Sequence, residues 1–297
     1  MKLLYLSILF AFLPIAANSQ KVAKEEVYLL TCGPGTEIYS VYGHSALRVV
    51  IPEKNSDTVY NWGVFDFSTP NFAWRFARGK LDYSLGVSSY EGFLREYYME
   101  KRWVVSQKIN LDSAQTAKLF VLLEENLKPE NINYRYDFFY DDCSTRIRDL
   151  LEKSVGDDLD YPPDISTNEL PTFRDLISKY EKGYVWRRAG IDLLIGTGGD
   201  KKASFRDRMF LPVEMKDGLS QTNIRREGKM IPLLANPALV LDFEPPVVKT
   251  NMLTGPFFIF GLLLIICIGL TGYFRGKKAN NIIDTVIFSL FSILSVL

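Results

Sequence analysis

The chain has 297 residues, with 35 lysines and arginines against 35 aspartates and glutamates, one histidine and three cysteines. The balanced charge argues against a nucleic-acid partner, because surfaces that bind nucleic acid carry an excess of basic residues. One histidine and dispersed acidic residues do not form a convincing metal-ligand pattern, so we expect neither a metal nor another cofactor.

The first segment, residues 1–19, has the pattern of a secretory signal peptide. Lys2 precedes an apolar run, and the small residues Ala17, Asn18 and Ser19 form a cleavage site before Gln20. We therefore expect residues 20–248 to lie outside the cytoplasm. The alternative is an uncleaved membrane anchor, but the apolar run is short for a membrane span.

The C-terminal part of the chain is apolar. Residues 256–274 carry no charge and are long enough to cross a bilayer as a helix. Three basic residues follow within the segment RGKK, which places that end of the helix in the cytoplasm. Residues 282–297 form a second apolar run that is too short to span, which we interpret as a truncated transmembrane helix. A short C-terminal hairpin is the alternative. The sequence thus predicts a single-pass or multi-pass protein of the cell membrane.

Between these ends, hydrophobic patterning predicts strands followed by helices. The predicted strands are 25–31, 41–51, 58–65 and 103–111, and the predicted helices are 90–98, 113–128 and 143–156. We interpret 186–243 as irregular structure packed onto the core. Because strands and helices do not alternate regularly, the pattern predicts an α+β domain. Its core is expected at about residues 25–155, with an accessory region at 156–248.

Two residues of this domain suggest nucleophilic catalysis. Cys143 lies at the predicted start of a helix, where free N–H groups and the helix dipole favour a thiolate. His44, the only histidine, lies on a predicted strand far away in sequence. A cysteine nucleophile requires such a base. The alternative is structural: Cys32 and Cys143 would form a disulfide in an oxidising compartment. Cys267 lies in the apolar C-terminal run and is interpreted as a small apolar residue.

A third group should orient the imidazole of His44. Asp66 and Asn61 both lie on the strand that returns past His44. If the hairpin turn is centred near Lys54 and Asn55, Phe65 faces His44 and Asp66 is the nearer of the two. Asn61 requires a bulge or a shifted turn. The sequence leaves both candidates open.

Four segments together resemble a known family. They read LLTCGPGTEIYSVYGHSALRV, YNWGVFDFSTPNF, RGKLDYSLG and YDFFYDDCSTRIRDLL, and they extend from about Val27 to Leu151. They are similar to the Lnb N-terminal periplasmic domain family of bacterial lipoprotein N-acyltransferases. The order of histidine before cysteine also resembles circularly permuted papain-like enzymes, including the NlpC/P60 and lecithin:retinol acyltransferase groups. This chain has Asp142 where the family pattern has asparagine, and the extra charge should raise the pKa of the thiol.

The resemblance implies a permuted papain-like domain followed by transmembrane helices, and a ping-pong acyl transfer. Cys143, assisted by His44, would take an acyl chain from a membrane phospholipid and pass it through a thioester to the α-amine of a diacylglyceryl-cysteine lipoprotein. N–H groups at the start of the Cys143 helix would stabilise the oxyanion. We expect Tyr42, Trp74 and Arg146 to contact substrate. Trp74 belongs to an aromatic and basic segment that suits lipid, and the alternative for this segment is an ordinary core helix with a solvated basic face. Arg146 is suited to a phosphate or to pairing with a nearby aspartate.

Two other functions are compatible with the same residues. A membrane-tethered cysteine peptidase or amidase of the cell envelope would use the same Cys143 and His44, with water in place of the amine. A non-enzymatic envelope module would instead contain the Cys32–Cys143 disulfide. Strict dependence on phospholipid would separate the acyltransferase from the peptidase, and free-thiol counting would identify the disulfide.

Overall fold

A computed structural model describes most of the chain between its two apolar ends, together with the apolar helix that begins at Pro256. The residues it describes are 24–66, 68, 70–71, 74–75, 82–164, 166–245, 248, 252–274, 281–282, 284–289 and 292. The expected signal peptide at residues 1–19 lies outside these ranges.

The centre of the domain is a seven-stranded sheet with the order β10-β5-β1-β2-β3-β4-β6, and every neighbouring pair of strands is antiparallel. A smaller sheet has the order β7-β8-β9. The strands are β1 Glu26–Cys32, β2 His44–Ile51, β3 Ser56–Val64, β4 Asp82–Ser89, β5 Val104–Lys108, β6 Asn133–Arg135, β7 Leu159–Asp160, β8 Asn223–Arg226, β9 Lys229–Pro232 and β10 Ala238–Leu241.

Helices pack on both faces of the large sheet. The α-helices are α1 Tyr90–Met99, α2 Ser113–Leu127, α3 Cys143–Val155, α4 Phe173–Ser178, α5 Val185–Ile195, α6 Pro212–Gln221 and α7 Pro256–Tyr273. Short 3₁₀ helices are Pro52–Lys54, Gly156–Asp158, Thr167–Glu169, Gly196–Asp200, Asp207–Phe210 and Met252–Thr254. The domain is therefore α+β with antiparallel sheets, as the sequence predicts.

Alternating residues of each strand supply two apolar cores on opposite faces of the sheet. On β1, Leu29 packs in the larger core with α2, α3 and α6, whereas Leu30 packs in the smaller core against α1. The larger core is where Cys143 begins helix α3, and the smaller core contains Tyr97 of α1. The candidate site lies at the edge of the sheet where β2 begins and β3 ends.

The prediction of irregular structure over 186–243 is wrong, although this segment packs onto the core as expected. Within 186–243 the chain forms helices α5 and α6 and strands β8, β9 and β10, and β10 extends the large sheet beside β5. Residues of this region such as Met215 and Leu219 are fully buried in the larger core. The expected boundary between a core at 25–155 and an accessory region at 156–248 stays a prediction, and residues from both sides of it pack in the larger core.

Helix α7 is the one helix of the described residues that is long and apolar enough to cross a membrane. Its eighteen residues span about 27 Å, close to the hydrocarbon thickness of a bilayer. The described residues near the C-terminus include helical turns at 281–289 with one gap, but no second helix of spanning length. The second span expected at 282–297 stays a prediction.

Candidate active site

His44 is the first residue of β2. The residue before it, Gly43, has a backbone conformation that favours glycine. Gly43 has a φ of +86°, and a Cβ at this position would lie 2.7 Å from the carbonyl oxygen of Cys32. The register of β2 and β3 pairs Leu47 with Tyr60. Continued to the end of the strands, this register places His44 opposite Gly63 rather than opposite Phe65. The expected turn position is therefore wrong by one residue, and the expected strand pairing by two.

The orienting contact of the imidazole comes from Asn61. Its Oδ1 lies 2.5 Å from Nε2 of His44. Because an amide oxygen only accepts hydrogen bonds, Nε2 donates its proton, and Nδ1 keeps its lone pair and is able to act as a base. Asp66 is exposed, and its carboxylate accepts hydrogen bonds from the backbone N–H and the hydroxyl of Ser68. The structure brings Asn61, not Asp66, to the histidine.

Cys143 is the first residue of α3, and Asp142 is the N-cap. The Asp142 side chain is buried, and its Oδ1 accepts hydrogen bonds from the N–H groups of Ser144 and Thr145, at 3.0 and 2.8 Å. This cap occupies two of the donors that the sequence suggested for an oxyanion. The N–H of Cys143 is outside the cap and is the donor at the helix start that is left for that role.

Gly63 provides the space in which the histidine and the cysteine approach each other. It has a φ of +96°, and a Cβ built on it would lie 3.7 Å from Cε1 of His44 and 3.8 Å from Cβ of Cys143. Any side chain at this position would therefore enter the gap between the two residues. Because Gly63 has no side chain, the space beside His44 and Cys143 stays open.

The electrostatic environment favours the uncharged forms of both His44 and Cys143. Burial, assisted by the charge of Arg102, lowers the pKa of His44 to about 4, although the Asn61 bond and, more weakly, Glu96 and Asp142 act in the opposite direction. Burial raises the pKa of the Cys143 thiol, against the effect of backbone N–H groups near the sulfur. Since neither group is charged near neutral pH, the cysteine requires a base that removes its proton during attack.

Both residues open into one cavity of about 430 Å³. Most of its lining is apolar or aromatic. The lining residues are Ile38, Tyr39, Tyr42, Gly43, His44, Gly63, Phe65, Tyr83, Tyr136, Asp137, Phe138, Phe139, Asp142, Cys143, Ile191, Leu194, Ile195, Phe210, Leu211 and Pro212. A largely apolar cavity of this size suits a hydrocarbon chain better than a charged peptide.

Of the three residues expected to contact substrate, Tyr42 lines the cavity, and Trp74 and Arg146 do not. Tyr42 lines the cavity, and its hydroxyl donates a 2.8 Å hydrogen bond to Glu181. Trp74 is exposed and is not among the lining residues. Arg146 is also away from the lining, because its guanidinium pairs with the carboxylate of Asp141 and lies 3.7 Å from the centre of the Tyr134 ring. Of the aromatic and basic segment, the parts at 67, 72 and 76–81 lie outside the described residues.

The thiols are all free in the structure. Cys32 is fully buried between β2 and β5, and burial raises its pKa. It lies against Tyr97, whose ring is in turn stacked on the His44 imidazole with a centroid separation of 6.5 Å. Cys32 therefore has the surroundings of a structural residue rather than of a reactive one.

Several residues of the site had no clear sequence signal. Tyr97 lies on an amphipathic helix whose pattern indicates only core packing. Ile191, Leu194 and Ile195 come from α5, in the region interpreted as irregular. Phe138 is the exception: it is part of the segment YDFFYDDC, and its nearness to Cys143 in sequence was a usable signal.

Comparisons with known proteins agree with this architecture. A sequence model described as the Lnb N-terminal periplasmic domain matches residues 15–179, more than half of the chain, and the match includes His44, Asn61 and Cys143. No curated protein and no solved structure matches the chain. With the apolar helix α7 following it, this domain fits a membrane protein whose N-terminal part is periplasmic. The chain belongs to the family of the Lnb N-terminal periplasmic domain.

Proposed function

We propose that the protein is a lipoprotein N-acyltransferase with Cys143 as its nucleophile. It moves an acyl chain from a membrane phospholipid to the α-amine of a diacylglyceryl-cysteine lipoprotein. The observation that carries the proposal is the position of the Asn61–His44 pair and Cys143 around Gly63, at the wall of a mainly apolar cavity. The family membership supports an Lnb-type envelope role. We also propose a permuted papain-like arrangement, since the histidine lies on a strand and precedes the cysteine at a helix start.

In the first half-reaction, the sulfur of Cys143 attacks the ester carbonyl of the phospholipid while Nδ1 of His44 removes the thiol proton. The N–H of Cys143 donates to the oxyanion. The carbon–oxygen bond of the ester breaks, and the lysophospholipid oxygen takes the proton from His44. The acyl chain remains on Cys143 as a thioester.

In the second half-reaction, the free α-amine of the lipoprotein attacks the thioester. His44 accepts the amine proton, the carbon–sulfur bond breaks, and the proton returns to the sulfur of Cys143. An amide forms and the enzyme regains its starting state. Asn61 holds the imidazole through both steps, because the bond to Nε2 is independent of the protonation of Nδ1.

The thioester is the intermediate to look for. The full-length protein is purified in detergent with phospholipid, and the mass of the peptide containing Cys143 is measured before and after neutral hydroxylamine. We expect an acyl-sized adduct that hydroxylamine removes and that Cys143→Ser and His44→Ala abolish. An unmodified thiol without phospholipid turnover would contradict the proposal.

The same sample separates the two alternatives. Cleavage of peptide substrates without phospholipid would indicate a peptidase or amidase. A Cys32–Cys143 disulfide in the protein isolated from the membrane would indicate a non-enzymatic module. The burial of Cys32 behind β2 and β5 favours the enzyme over that module.

A further inference from the structure

Helix α5 has an exposed apolar stripe that the core does not cover. Trp186, Leu193 and Leu194 are 48%, 83% and 63% exposed, and none of the described residues of this helix is fully buried. At helical spacing, these residues and Gly190 lie on one side of the helix. Asp192 lies on another side, where it pairs with arginines. Arg187 lies beside the stripe on the helix, but its guanidinium is mostly buried and pairs with Glu181, so the exposed residues of the stripe are uncharged.

The stripe begins at the membrane helix. The Trp186 indole N–H donates a 2.7 Å hydrogen bond to the carbonyl of Thr254, two residues before α7 begins. The Trp186 ring also packs edge-on against Phe260 in α7, with centroids 5.7 Å apart. Tryptophan at the end of an apolar span is typical of the membrane–water interface. The stripe is thus continuous with the surface that contacts lipid.

The other end of the stripe reaches the candidate active site. Leu194 is both exposed and part of the cavity lining, and Ile191 and Ile195 form the wall behind it. Ile38 and Tyr39 also line this cavity and are also exposed. From Trp186 to Leu194, helix α5 extends about 12 Å. An apolar path therefore leads from the membrane helix to the cavity that contains Cys143.

We propose that α5 lies on the membrane surface beside α7, with its stripe among the lipid acyl chains. The gap between Leu194 and the Ile38–Tyr39 loop is the entrance by which a phospholipid acyl chain passes from the bilayer to Cys143. This inference rests on the proposed function, and it adds the route and orientation of the donor. The occupant is lipid rather than protein, because the stripe is uncharged and continuous with a membrane span.

The first experiment measures the position of α5 without measuring activity. Leu193→Cys is labelled with an environment-sensitive fluorophore in the full-length Cys143→Ser, Cys267→Ala protein. The protein is placed in vesicles of phosphatidylethanolamine and phosphatidylglycerol that contain a nitroxide-labelled acyl chain. Val121→Cys on α2 is the matched control, since Val121 is 65% exposed and outside the cavity. We expect several-fold stronger quenching at position 193. Equally weak quenching at both positions would overturn the proposal.

The second experiment separates lipid entry from chemistry. We expect Leu193→Glu to slow Cys143 acylation from vesicle phospholipid roughly tenfold, because a charge replaces an apolar contact with lipid. Acylation by the water-soluble ester p-nitrophenyl butyrate should be unchanged, and Val121→Glu should change neither. An equal decrease of the acylation rate with both donors, or no decrease with vesicle phospholipid, would overturn the proposed entrance. If the unaltered protein forms no thioester with either donor, the proposed function fails and quenching alone decides the position of α5.

Discussion

The Nε2 atom of His44 lies 2.5 Å from Oδ1 of Asn61, and this one bond between neighbouring strands determines which imidazole nitrogen is basic. We expect Asn61→Ala to lower the rate of Cys143 acylation roughly 100-fold, because the ring loses its orientation. Asp66→Ala should leave the rate unchanged, since its carboxylate is exposed and accepts hydrogen bonds from Ser68. Acylation rates of the two purified variants test this, and the reverse order of effects would assign the role to Asp66.

The pH dependence of thiol alkylation should show that Cys143 is protonated at rest. Because burial raises the pKa of the thiol, we expect the rate of reaction with iodoacetamide to keep increasing above pH 9. The measurement is the mass of the Cys143 peptide over time, in the unaltered protein and in His44→Ala. A rate that is already constant between pH 6 and 8 would indicate a thiolate paired with an imidazolium, and would contradict the neutral pair.

Asp142 combines a helix cap with an unfavourable charge beside the thiol. Burial and the neighbouring Cys143 raise the pKa of this carboxyl. Asp142→Asn keeps an oxygen acceptor for the N–H groups of Ser144 and Thr145 and removes the charge, so we expect faster alkylation of Cys143 at pH 8. Asp142→Ala also removes the charge but loses the cap, at a cost of about 1 kcal/mol in stability. Slower alkylation in Asp142→Asn with an unchanged melting temperature would contradict this explanation.

Gly63 should tolerate no side chain, for a reason separate from backbone strain. We expect Gly63→Ala to lower acylation strongly, because the methyl group lies between His44 and Cys143. Gly156→Ala is the matched control: Gly156 also has a positive φ, of +73°, but a Cβ there contacts nothing within 4 Å. Both variants should lose similar stability, about 1 kcal/mol or more. If Gly156→Ala loses as much activity as Gly63→Ala, strain rather than position explains the effect.

The stability of the domain should decrease as the pH falls from 6.5 to 4. The pKa of His44 is about 4 in the folded protein and 6.5 when exposed, so the unfolded chain binds more protons in this window. The expected loss is roughly 3 kcal/mol between neutral pH and pH 4. Melting temperatures across this range should fall less steeply for His44→Gln. The raised pKa of Asp142 has the opposite sign, with stability lost as the pH rises above 3.8, but it is common to both proteins. Parallel curves would contradict the low pKa of His44.

The elements that form from local signals were predictable, and those that depend on distant partners were not. Helix α2 begins at Ser113 as predicted, because Asp112 and Gln115 form a capping box that is visible in the sequence. Helix α3 and its cysteine were predictable for the same reason. Strand β10 has four residues and exists because β5 is available as a partner, more than a hundred residues earlier. No local pattern reports such a pairing.

The residues of the candidate site also differ in how far the sequence predicts them. His44 and Cys143 could be identified because their residue types are rare in this chain and their chemistry is specific. The choice of Asn61 over Asp66 depended on a turn position, and a shift of one residue in the turn moves the strand pairing by two. The α5 wall of the cavity could not be assigned from sequence, because its apolar residues look the same whether they face a core, a cavity or lipid.

Strand β10 is the last part of the sheet, and only residues 242–255 connect it to the membrane helix. Even fully extended, this linker reaches at most about 50 Å. If the proposed reaction holds, the enzyme serves one membrane, the one in which its own helix is embedded. The proposed acyl transfer would then act on lipoproteins that are still inserted in that same membrane.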